Sequence, residues 1–183
     1  MQRNRIAIAI IALSLGFQTF PNLAMSFFFK DDLNLNIAEM SFYNSILNFI
    51  WVLKPVFGFI TDSYSIMGSY RSSYLAIFSL LNSVGWILMA LWVETLWQAM
   101  LVKTLINIAI SFQNVIGEGL MVESSKGDKA IAATNVSIFL SLTSAASIVS
   151  SYLGGYLLTA VSTRTMFLIS AVLPALTLIA GFV

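Results

Sequence analysis

The chain has 183 residues, 58% of them hydrophobic and 9% charged, with a formal net charge of +1 and neither cysteine nor histidine. A mean hydropathy of +0.89 leaves too little polar surface to clothe a water-soluble globule, and the balanced charge offers no field that would draw nucleic acid. Without cysteine or histidine there is no disulfide, thiol or imidazole chemistry and no soft ligand set, and no nucleophile and base stand at a recognisable spacing. Neither a catalytic residue, a metal nor a cofactor is therefore expected, and the chain does not read as an enzyme.

A helix crosses the hydrocarbon with about 20 mostly apolar residues. Short polar breaks divide the chain into six such runs, at residues 6–29, 41–61, 74–93, 96–122, 130–158 and 165–183. They are too long and too continuous for barrel strands, so the expected fold is an all-α, multi-pass membrane bundle surrounded by lipid. The first run follows Arg3 and Arg5 and has no small-residue cleavage box before Lys30, so it reads as a span and not as a cleaved signal. Its Ser14, Gln18 and Asn22 recur every fourth residue and share one face.

The second run holds Lys54 next to Pro55, whose ring frees a carbonyl and bends the axis. The third carries Asn82 and Ser83 and is intermediate in polarity. In the fourth, Lys103, Asn107, Ser111, Asn114 and Glu118 fall, at about 100° per residue, within less than a quarter of the circumference, which predicts one hydrated face. The fifth shows Ser137, Ser141, Ser144, Ser147 and Ser151 ahead of Gly154 and Gly155, read as a seam where backbones approach. The sixth carries only Ser170 and Thr177 after its first turn and reads as lipid-facing. Arg3, Arg5, Arg71, Lys126 and Lys129 lie on one side of this arrangement, against Lys30 and Arg164 on the other. That places the amino terminus in the cytoplasm or its topological equivalent.

The uncharged polar residues fit either interhelical packing or a solute path. The charged ones favour function, because an ionised side chain near the bilayer centre costs about 2.5–3.5 kcal/mol on insertion scales. Lys54, Lys103 and Glu118 each incur part of that cost, although Lys103 can snorkel towards its end of the helix. Similar depth on two helices predicts a Lys54–Glu118 ion pair. The candidate solute and proton path is thus Gln18, Asn22, Lys54, Asn107, Asn114 and Glu118.

Longer motifs follow the same order: FFFKDDLNLNIAE (Phe27 to Glu39), WVLKPVFGFITDSYSIMGS (Trp51 to Ser69) continuing into YRSSYL, QNVIGEGLMVES (Gln113 to Ser124), SSYLGGYLL and RTMFLISAVLP (Arg164 to Pro174). In order and spacing these resemble the folate-biopterin transporter family of the major facilitator class. The resemblance implies twelve helices in two halves, this chain matching the amino-terminal half with its 3+3 inverted repeat. It also implies alternating access and transport of pterin-like or other small organic anions, commonly with protons. It further implies a conformational latch of Gly58, Asp62 and Arg71, and it sets Lys54, Asn114 and Glu118 where the family has a helix-two lysine and two helix-four acids. The chain departs from the pattern in having a single arginine at Arg71 and an amide at Asn114.

A six-helix half cannot alternate access alone. The expectation is therefore a fragment of a longer carrier, or a half that pairs with a second six-helix half or with other membrane subunits. The alternative is an eroded half-transporter kept as a structural subunit of a larger membrane complex. Plasma membrane and organelle membranes, plastid or other, are not distinguished by these residues.

Overall fold

The computed structural model describes residues 2–66, 71–124 and 129–180. Tyr70, Lys126 and the end of the sixth expected span at Val183 lie outside it, as do the side chains of Arg3, Arg5 and Lys129. The described residues form helices joined by short turns and loops, and no strand. Among the described residues five segments are long and apolar enough to cross a membrane: Ile8–Asp32, Ile37–Ser63, Ser72–Leu91, Leu96–Glu123 and Ala130–Leu158.

The first span is discontinuous. Helix α1 (Gln2–Phe17) stops in a turn, α2 (Asn22–Phe27) restarts after Pro21, and a π-helical turn (Phe28–Asp32) completes the crossing. Pro21 has no N–H for the carbonyl of Phe17, four residues earlier, and its ring crowds that position. The carbonyl instead accepts the Phe20 N–H in the turn and, from outside the helix, the Ser150 hydroxyl, both at 3.0 Å. Broken membrane helices persist only where such partners replace the lost bonds.

The second span begins at α3 (Ile37–Asn48), earlier than the expected residue 41, because Asn36 and Glu39 form a reciprocal capping box with both bonds at 2.9 Å. The preceding loop passes through Asn34 at φ 55°, a left-handed conformation that asparagine tolerates better than most residues. A 3₁₀ turn (Phe49–Leu53) leads to α4 (Lys54–Ser63), with Pro55 in its first turn. Helices α5 (Ser72–Leu91), α6 (Leu96–Ser124) and α7 (Lys129–Leu158) are uninterrupted.

Instead of one sixth span there are α8 (Thr163–Ser170) and α9 (Pro174–Ala180), separated by a turn. Proline again explains the break, since the residue before it is pushed out of the helical region. This segment is not simply lipid-facing. Met166, Phe167, Ser170 and Thr177 are buried while Leu168, Ile169 and Val172 are exposed, because α8 and α9 pack on α5 and α9 also packs on α1. Arg164 ties this pair down by donating to the carbonyls of Ala90 and Val93, both at 3.1 Å. It thereby caps the end of α5, where carbonyls lack helical partners.

The seam between α1 and α7 is also rotated from expectation. Ser137, Ser141, Ser144 and Ser151 are exposed, and the buried line on α7 is Phe139, Ala146, Ser150 and Gly154, with Ser147 half-buried. Gly16 permits the approach, since a Cβ there would lie 2.5 Å from both the Ala146 Cβ and the Thr143 carbonyl. Small residues stood on both sides of α7, and shape complementarity with Gly16 selected one of them.

Two apolar clusters fill the bundle. One gathers Phe28, Phe29, Trp86, Met89, Ile106 and Phe167; the other gathers Ile8, Ile11, Leu75, Phe112 and Ile116. Between them along each helix lie the buried polar residues Ser14 and Gln18, Ser79 and Asn82, and Asn107, Ser111 and Gln113. The bundle thus carries a polar belt flanked on both sides by apolar side chains.

Candidate functional site

A cavity of about 500 Å³ opens beside this belt, walled by the first, second, fourth and fifth spans. The break at Pro21 turns Gln18, Thr19 and Asn22 onto its wall. The second span adds Asn44, Asn48 and Trp51, the fourth adds Lys103, Asn107 and Asn114, and the fifth adds Thr143. Four of the six path candidates, Gln18, Asn22, Asn107 and Asn114, therefore share one concavity. Asn107 is partly committed to architecture, because its amide donates to the Leu47 carbonyl at 3.1 Å and ties the fourth span to the second.

Lys54 and Glu118 do not line the cavity but stand at its edge. The Lys54 Nζ is 3.1 Å from the Glu118 carboxylate and also donates to the Asn114 side-chain oxygen, which joins the ion pair to the cavity wall. The ammonium lies 5.1 Å from the centre of the Trp51 ring. Lys103 is placed differently: its Nζ sits 4.9 Å from the Trp86 ring, and no carboxylate pairs with it among the described residues. The ring face supplies partial compensation for the cation.

Ser14 and Ser111 belong to the predicted polar stripes but are buried away from the cavity. Asn44 and Asn48 were missed, although four-residue spacing on α3 places them on one face. Gln113 was missed because it lies off the stripe of the fourth helix. It is fully buried and binds Gln18, whose Nε2 donates to the Gln113 Oε1 at 2.7 Å.

The predicted latch residues gather at the other end of the second span. Arg71 reaches Asp62 at 3.5 Å and Glu123, which had not been anticipated, at 3.0 Å. Its guanidinium lies over Gly119, where a Cβ would come within 2.9 Å of Nη2. Gly58 shows no such crowding, the nearest atom to a Cβ there being Val115 Cγ1 at 3.5 Å, so within this chain the close approach belongs to Gly119. Among the described residues no group of three carboxylate, thiol or imidazole side chains converges as a metal site would require.

Comparisons with known proteins place the chain in a family. Residues 15–183 match the model of the BT1 family. The folate-biopterin transporter of Synechocystis sp. is 36% identical over 181 residues, covering 97% of this chain and 36% of the relative. Folate transporter 2 of Plasmodium falciparum is 32% identical over 171 residues, or 93% of this chain and 38% of the relative. The probable folate-biopterin transporter 4 of Arabidopsis thaliana is 30% identical over 176 residues, or 94% and 36%. The chain spans little more than a third of the length of these curated relatives. No solved structure matches it. With its apolar spans and a family match over most of its length, the chain is an integral, multi-pass membrane protein that belongs to the BT1 family, and its relatives carry the names of folate and folate-biopterin transporters.

Proposed function

We propose that this chain forms the amino-terminal, six-span half of a secondary carrier for pterin-like or other small organic anions. In this reading α8 and α9 together make the sixth span, the six spans form a 3+3 inverted repeat, and a second six-helix half closes the cavity. The observation that carries the reading is the polar cavity against the discontinuous first span, because carriers bind solute at middle depth beside interrupted helices. The names of the relatives supply the solute class. A membrane subunit with a purely structural task would have no use for three spans turning amides towards one opening.

The mechanism follows from charge. With the solute absent, Glu118 holds Lys54. A proton delivered to the Glu118 carboxylate cancels that attraction and leaves the ammonium, already hydrogen-bonded to Asn114 at the cavity wall, to attract the solute anion. Loss of the proton restores the ion pair and expels the anion, so proton and solute move together. Gln18, Asn22 and Asn107 supply neutral hydrogen bonds to the solute. Arg71, with Asp62 and Gly58, steadies one of the two conformations as a latch.

The test is uptake of radiolabelled folate or biopterin by proteoliposomes holding the polypeptide as its gene encodes it, under an imposed proton gradient. Uptake that collapses on adding a protonophore, and loses its proton dependence in Glu118→Gln, is expected. Uptake indifferent to both would contradict the reading.

A further inference from the structure

From the cavity wall a single file of hydrogen bonds runs into the interior and crosses four spans. Gln18 Nε2 donates to Gln113 Oε1 at 2.7 Å, and Gln113 Nε2 donates to Ser79 Oγ at 3.3 Å. Ser79 Oγ then donates to Thr177 Oγ1 at 2.8 Å, and Thr177 Oγ1 to the Pro174 carbonyl at 2.6 Å. Gln113 and Thr177 are fully enclosed and Ser79 is nearly so.

The direction of this file is forced. A carbonyl oxygen can only accept, and each hydroxyl has one proton to donate. Thr177 spends its proton on Pro174, so Ser79 must donate to Thr177 and can only accept from the next residue inward. Gln113 must therefore turn its NH₂ to Ser79 and its oxygen to Gln18, and Gln18 must answer with NH₂. Carboxamide orientation is ordinarily inferred from neighbours; here it propagates from one backbone oxygen at the break in the sixth segment. At the cavity end this leaves the Gln18 oxygen, which is enclosed and has no partner among the described residues. A buried acceptor without a donor is unfavourable, and a ligand that supplies one relieves it.

We propose that Gln18 is a committed hydrogen-bond acceptor for a solute N–H or O–H group, and that Gln113, Ser79 and Thr177 are positioning residues that fix its polarity. The proposal rests on the cavity being a solute site and deepens that reading. The solute needs a donor for Gln18 as well as an anionic group, and an analogue whose ring N–H groups are methylated is discriminated against. It also explains why a glutamine, which can turn either end outward, serves where one end is required: residues three hydrogen bonds away hold it.

Two measurements decide it, one of them independent of any solute. In the chain labelled with ¹⁵N-glutamine and held in lipid nanodiscs, the carboxamide protons of Gln18 and Gln113 should exchange with D₂O several-fold more slowly than those of Gln98. The Gln98 Nε2 makes no hydrogen bond among the described residues. Thr177→Val and Ser79→Ala should each speed exchange at Gln18, to which neither residue is directly hydrogen-bonded, and leave Gln98 unchanged as a check on folding. Exchange at Gln18 that ignores both variants would overturn the relay. In uptake assays the wild type should show a lower KM for a pterin than for its N-methylated analogue. Thr177→Val should shrink that ratio with turnover of the unmethylated pterin nearly intact. An unchanged ratio in a variant whose Gln18 exchange has risen would overturn the acceptor role. If the wild type takes up no pterin, the solute reading falls, and the exchange result still stands for or against the relay.

Discussion

Gly154 and Gly155 are neighbours on α7, yet replacing each by alanine has a different expected outcome. A Cβ on Gly154 would lie 2.5 Å from the Phe20 carbonyl oxygen, 3.4 Å from its carbon and 3.6 Å from its Cα. All three are main-chain atoms of the interrupted segment of the first span, and they cannot yield without shifting the turn that presents Gln18. A Cβ on Gly155 meets nothing nearer than Leu23 Cδ2, at an ordinary 3.7 Å. Alanine gains about 0.8–1.0 kcal/mol over glycine inside a helix. That gain is common to both sites, so their difference isolates the contact. Overpacking of this kind costs about 1–3 kcal/mol, which makes Gly154→Ala less stable than Gly155→Ala by that amount. Reversible unfolding by SDS titration in mixed micelles, with helical circular dichroism as the readout, measures the gap. Two variants equal to within about 0.3 kcal/mol, the usual error of additivity, would refute the close packing of α7 on the first span.

Other substitutions probe the remaining parts. Lys54→Met and Glu118→Gln, alone and combined, form a double-mutant cycle in the same unfolding assay. A coupling of about 0.5–1 kcal/mol is expected for a half-exposed membrane pair, and strict additivity would deny the ion pair. Ser150→Ala removes the donor from α7 to the Phe17 carbonyl, leaving only the Phe20 N–H, and should cost about 1 kcal/mol; no loss would mean that the bond across helices adds nothing to the bond within the turn. Gly119→Ala pushes against the Arg71 guanidinium, so its effect on the balance between conformations should vanish in an Arg71→Gln background. Independent effects would separate the two residues.

The limits of reading the sequence were physical. The fourth helix was legible because five polar residues on one face of an apolar cylinder have few explanations, and three of them, Lys103, Asn107 and Asn114, do line the cavity. The break at Pro21 was present in the letters but inconspicuous, since membrane helices tolerate proline and only the partner for Phe17, Ser150 on a distant helix, reveals what the interruption does. The sixth segment was read as lipid-facing because Ser170 and Thr177 are few. Their burial depends on α5 and α1, which no local pattern encodes. Gln113 escaped for a related reason: a single glutamine off the polar stripe has no periodicity, and its importance lies in its bonds to two other spans and, through Ser79, to α9. Glu123 joined the Arg71 site in the same way, through tertiary contact.

Entry of solute into the cavity beside the broken first span can be read out at Asn22. The chain contains no cysteine, so Asn22→Cys introduces a unique thiol within it on the cavity wall. Its rate of modification by a water-soluble methanethiosulfonate should be measured with and without saturating folate or biopterin, in a preparation shown to transport. Marked slowing by solute is the expected result, with no slowing at Ser144→Cys on the exposed side of α7. A rate at Asn22→Cys unchanged by a solute that is being transported would contradict the account.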